Sequence, residues 1–87
     1  MLDYSYFPPV ESLYKVLKHC PDCALVFIKL WDERDEKGHL TIEKTDVRNI
    51  FHLSPTILRN SCLELRDEQI IEFEENDKYF VIEFLIK

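Results

Sequence analysis

Eighty-seven residues with 46% hydrophobic and 32% charged side chains suffice for one folded domain and exclude both a multidomain and a disordered chain. The formal net charge is −6, and the single glycine, Gly38, excludes the glycine-rich loops that cradle phosphates. The longest apolar run, Cys23 to Ile28, falls far short of the roughly 20 residues of a membrane span, and the start of the chain lacks a secretion-signal pattern, so a cytoplasmic chain with no membrane partner is expected.

In chain order, residues 1–9 read as an extended aromatic arm. Tyr4-Ser5-Tyr6-Phe7-Pro8-Pro9 carries two prolines, each fixing its own φ and keeping the preceding residue out of the helical region. Val10, Leu13, Tyr14 and Leu17 recur at helical spacing and predict a helix over about 9–19. Pro21 ends it and suits the first turn of the next helix, expected over about 22–34 with Leu25, Phe27, Ile28 and Trp31 at helical spacing. Val26 and Leu30 make that helix apolar on more than one side, the mark of a buried central helix. A charged run from Asp32 to Lys37 follows, and Gly38 closes the loop.

Leu40-Thr41-Ile42 is a short strand candidate, and Val47, Ile50 and Phe51 share one face of a short helix at about 44–52. Ser54-Pro55 is the sharpest local signal, a preferred N-cap followed by a preferred first helical residue. The helix it starts runs to about Arg66 with Leu58, Cys62 and Leu65 facing inward. His52-Leu53-Ser54 between the two helices is a helix–turn–helix spacing. Two strand-like runs, Ile70 to Glu75 and Lys78 to Phe84, flank Asn76-Asp77, a pair suited to the positive φ of a tight hairpin turn over residues 70–85. The expected core is Leu25, Ile28, Val47, Phe51, Leu58, Cys62, Leu65, Ile71 and Phe84.

From Cys23 to Phe84 this order resembles the winged-helix family, nearest to the N-terminal domains of phage and plasmid replication initiators and of bacterial transcription regulators. The resemblance rests on Ala24-Leu25 and Leu30, on Leu40-Thr41-Ile42, on Val47 and Phe51, on Leu53-Ser54, on Leu58, Cys62 and Leu65, and on Ile70-Ile71. It implies an α+β fold in one domain, residues 1–87. The parts are three core helices, a C-terminal β-hairpin wing and, here, an additional N-terminal helix. Such families often place glycine in the turn and before the wing, where His52 and Gln69 stand. Histidine tolerates positive φ better than most residues.

The resemblance further implies that the helix at 54–66 enters the major groove of duplex DNA, in transcription regulation or replication. With Leu58, Cys62 and Leu65 inward, Thr56, Arg59, Asn60 and Leu63 face outward. Arg and Asn suit bidentate readout of guanine and adenine, and Lys44 and Arg48 could meet phosphates. The expected DNA contacts are therefore Lys44, Arg48, Thr56, Arg59 and Asn60.

Charge distribution opposes this. Residues 39–66 carry four basic and three acidic side chains, whereas residues 67–87 carry two against seven. Glu72, Glu74, Glu75, Asp77 and Glu83 would stand where phosphates should lie, and phosphate contact supplies most non-specific affinity. The competing expectation is a protein partner met by Glu72, Glu74, Glu75, Asp77, Tyr79, Val81 and Leu85. The last strand supports it. Phe80, Ile82, Phe84 and Ile86 line one face while Tyr79, Val81 and Leu85 line the other, and a strand apolar on both faces wants cover on both. The aromatic arm and first helix could provide that cover, or a second copy in a homodimer. A third reading is a DNA mimic whose carboxylates imitate phosphates.

His19-Cys20-Pro21-Asp22-Cys23 contains one CxxC. Zinc needs four ligands, and Cys62 with His39 or His52 would complete a set only if the fold gathered them. A redox CxxC would open a helix after a strand, whereas a helix precedes this one. Three cysteines, an odd number, fit a reduced compartment better than a disulfide framework. No spacing suggests a Ser, His and carboxylate set, and pairs such as Glu74-Glu75 lie in solvated runs. No enzyme activity, cofactor or metal is expected.

Overall fold

The computed structural model describes residues 8–85; the arm residues Tyr4 to Phe7 and Ile86 of the last strand lie outside the described residues. Pro9, extended at φ −53° and ψ 135°, caps the first helix, α1 (Val10–His19), and Pro8 before it is buried. Pro21 opens a 3-10 turn over Pro21–Cys23, so the second helix, α2 (Ala24–Glu33), starts later than its sequence pattern suggests. Asp35 closes the next loop by accepting the backbone N–H groups of Lys37 and His39, each at 2.8 Å, and Gly38 supplies a φ of +79°. There follow β1 (His39–Glu43), a 3-10 turn at Lys44–Asp46, α3 (Val47–Phe51), α4 (Pro55–Asp67), β2 (Ile71–Glu75) and β3 (Tyr79–Phe84).

The architecture is α+β. The described residues form four α-helices and one antiparallel sheet of order β1-β3-β2. Register pairs Ile42 with Phe80 and Leu40 with Ile82 on one side of β3, and Phe73 with Ile82 and Ile71 with Phe84 on the other. Alternation therefore sends Ile42, Ile71, Phe73, Phe80, Ile82 and Phe84 to the helices. The opposite face carries Thr41 and Glu74 beside Val81, and His39 and Glu72 beside Glu83.

One core joins the sheet to the helices. Phe27, Leu30, Val47, Leu58, Cys62, Phe80 and Ile82 are wholly buried, and Leu65 and Ile71 nearly so, which bears out the expected inward face of α4. Each such large apolar side chain contributes about 1.5–3 kcal/mol by leaving water. Phe84 links α2 to β3, with ring centroids 5.0 Å from Trp31 and 6.0 Å from Phe27.

Four expectations need correction. Leu25 is 80% exposed and Ile28 only half-buried, because α2 turns its Ala24–Phe27–Trp31 and Val26–Leu30 rows inward and leaves Leu25 on the arc of Lys29 and Asp32. The hairpin turn takes no positive φ at Asn76 or Asp77. Instead the Asn76 side-chain oxygen accepts the N–H groups of Lys78 (2.9 Å) and Tyr79 (2.8 Å), replacing the backbone carbonyl a tight turn would use. Leu63, expected outward, is half-buried against the core. Cys20 and Cys23 are joined in a disulfide, since the 3-10 turn between them brings their Cα atoms to 5.4 Å, inside the range a bridge requires. Cys62 remains a free, buried thiol, which burial pushes up to about 12.

Candidate interaction surface

Two surfaces of different chemistry flank α4. Ser54 starts this helix as read from sequence, its Oγ accepting the N–H of Ile57 at 3.2 Å with Pro55 next. His52 turns the chain from α3 into α4 at φ 58°, and Gln69 turns it from α4 towards β2 at φ 61°. These are the two positions where the sequence puts His and Gln in place of expected glycines.

The flank of α4 facing the hairpin holds an ion cluster. Arg59 donates from Nε (2.6 Å) and Nη2 (3.1 Å) to the two carboxylate oxygens of Glu75 on β2, and Lys44 Nζ meets the same carboxylate at 2.8 Å. Both cations lie near the buried Phe80 ring, Lys44 at 5.3 Å and Arg59 at 5.9 Å. Side-chain exposures of 35%, 29% and 24% for Arg59, Glu75 and Lys44 place the cluster at the edge of solvent, where screening is incomplete. Arg59 and then Lys44 hold the Glu75 carboxyl below the usual carboxylate range.

The structure thus joins two of the expected DNA contacts, Arg59 and Lys44, to an expected protein contact, Glu75. Thr56, Asn60 and Arg48 are exposed and lie outside this cluster. Glu72, Glu74 and Asp77 are exposed on the hairpin. The outer face of β3 is less apolar than its sequence suggests. Tyr79 is half-buried and donates its hydroxyl to Glu43 at 3.4 Å, Glu83 lies 3.2 Å from His39, and Val81 and Leu85 are exposed.

The other flank of α4 is apolar. A groove of about 390 Å³ runs between α2 and α4, lined chiefly by Leu25, Val26, Phe51, Leu53 and Ile57, with Asp22, Lys29 and His52 at its margin. Ile57 is 51% exposed. A second exposed apolar row lies on α1, where Val10, Tyr14 and Leu17 follow one another at helical spacing. Sequence reasoning missed the groove, because apolarity alone does not tell which side chains of α2 turn outward. Ile57 stands off the Leu58–Cys62–Leu65 row, and Leu25 stands off the Val26–Leu30 row.

Among the described residues no three His, Cys, Asp or Glu side chains are grouped to hold a metal, and no helix is long and apolar enough to cross a membrane. Comparison with protein-family models, curated proteins and solved structures found no match.

Proposed function

We propose that the chain is a winged-helix module that binds a protein partner, with the α2–α4 groove as its anchor point. The order helix, strand, helix, helix, hairpin and the β1-β3-β2 sheet support the winged-helix reading, as do the positive φ values at His52 and Gln69. The observation that carries the choice of partner is the Arg59–Glu75 pair. An arginine reads guanine by directing two N–H groups at one base edge, and Arg59 directs two at its own hairpin. Lys44 is turned the same way, so both cations spend part of their charge and donor capacity on Glu75 and have less to offer DNA.

Leu25 and Ile57 supply the positive side of the argument. Their exposed surface gains only by losing water, at about 25 cal/mol per Å² of apolar area covered, and an apolar side chain of a partner fits a groove of this size. The acidic hairpin, on the other flank of α4, favours a partner with basic surface away from that anchor, by steering encounter more than by holding it. Exposed Thr56 and Asn60 on α4 and Arg48 on α3 support a second reading, contact of these helices with duplex DNA in transcription or replication.

A photo-crosslinking residue at position 25, in cells that make the protein, separates these readings. The proposal expects an adduct to a protein that Ile57→Asp abolishes and Asn60→Ala leaves intact. Adducts to nucleic acid, or adducts lost with Asn60→Ala and kept with Ile57→Asp, would overturn it.

A further inference from the structure

The CxxC segment adjoins the groove, with Asp22, Ile57 and Ser61 shared between them, and has a geometry of its own. Cys20 ends α1 and is half-buried, while Cys23 is 2% exposed and directly precedes the ten residues of α2. A hollow of about 210 Å³ opens beside their disulfide, lined by Cys20, Asp22, Cys23, Ile57, Asn60, Ser61 and Glu64. Cys20 is therefore the more exposed residue of the pair and Cys23 the more buried.

We propose that the Cys20–Cys23 disulfide is a thiol–disulfide exchange site, opened by attack of a small uncharged or cationic thiol on Cys20. The attacking thiolate forms a bond to Cys20 Sγ as the Cys20–Cys23 bond breaks, and the electron pair leaves on Cys23 Sγ. A second thiolate then attacks the external sulfur of the mixed disulfide and releases Cys20. Two external thiols are thereby oxidised to one disulfide, the protein disulfide is reduced to two thiolates, and these take up protons from water. The N-terminus of α2 favours negative charge on Cys23 while its burial opposes that charge, so the choice of sulfur rests on access to Cys20. Asp22 and Glu64, both exposed at the hollow, repel an anionic attacker and admit a cationic one. Cys62 takes no part, being wholly buried with its thiol pushed up to about 12. Because the hollow and the α2–α4 groove share Asp22 and Ile57, the exchange is assigned to the chain without a partner in the groove.

The test uses the oxidised full-length chain at neutral pH and low salt, with cysteamine, 2-mercaptoethanol and glutathione compared at equal thiolate concentration. Released thiols are counted by alkylation, and adducts are mapped by mass spectrometry. The proposal expects two new thiols under native conditions, the first adduct on Cys20, and cysteamine faster than glutathione by about 3–10-fold. Asp22→Asn combined with Glu64→Gln should bring that ratio close to one. Reduction only after denaturation, a first adduct on Cys23, or a ratio unmoved by the double substitution would overturn it.

Discussion

On one flank of α4, Arg59 and Lys44 converge on Glu75; on the other, Ile57 stands beside Leu25 with water as its neighbour. Both flanks lie on one 13-residue helix, yet they hold different amounts of unspent interaction. Charged groups that neutralise each other across a helix and a hairpin have less charge left to offer a second partner, even where N–H donors remain unused. Exposed apolar surface has only water to give up. A helix that looks suited to nucleic acid by residue type can therefore carry its available binding energy on the side those residues do not occupy.

The largest effect expected comes from the inward face on which both flanks depend. Leu58→Ala or Leu65→Ala should cost about 2–5 kcal/mol in urea unfolding, since both side chains are buried, and should abolish both flanks together. His52 comes next, because its left-handed backbone sets the start of α4 and its side chain lines the groove. His52→Val should destabilise by about 1–2 kcal/mol, while His52→Gly, which adopts that φ without strain, should leave thermal stability near the original. Leu25→Asp should change stability by no more than about 0.5 kcal/mol, since the side chain is exposed, yet remove partner binding; a large loss of stability would mean the groove is structural.

The smallest effect is an acid one. The Glu75 carboxyl is held below its usual range by Arg59 and then Lys44, so its stabilising contribution is present above the unfolded-state value of about 4.3 and is lost as pH falls through the lower folded-state value. Glu75→Gln should remove that part of the acid sensitivity in melting curves taken down from neutral pH, and identical pH profiles would show that the cluster does not persist in solution. Asp35, whose carboxyl is lowered by the His39 and then the Lys37 backbone N–H, titrates in the same direction and serves as the internal control.

Much of the fold was legible because its signals are local. Ser54-Pro55 announced α4, the Leu58–Cys62–Leu65 row gave its inward face, and alternation gave the hairpin and the inward side of β3. What escaped depends on distance. Leu25 and Val26 are equally apolar, and only the packing of α2 against the sheet decides which turns inward. Arg59 and Glu75 lie 16 residues apart on different elements, so no spacing rule pairs them before the hairpin folds back. The Asn76 turn escaped because a side-chain acceptor did the work assigned to backbone conformation. Cys20 and Cys23 fit no strand-first redox pattern, yet the 3-10 turn between them suffices to bring them together.

The central claim is that Glu75 neutralises the cationic flank of α4 enough to disfavour nucleic acid, while the apolar flank is open to protein. It is tested most directly by fluorescence anisotropy of mixed-sequence duplex DNA, titrated at low and physiological salt with the wild-type chain and with Glu75→Gln. The account predicts negligible binding by the wild type even at low salt, and weak, salt-sensitive binding by Glu75→Gln, in which Arg59 and Lys44 are released from their carboxylate. Saturable wild-type binding that survives physiological salt and falls with Asn60→Ala would contradict it.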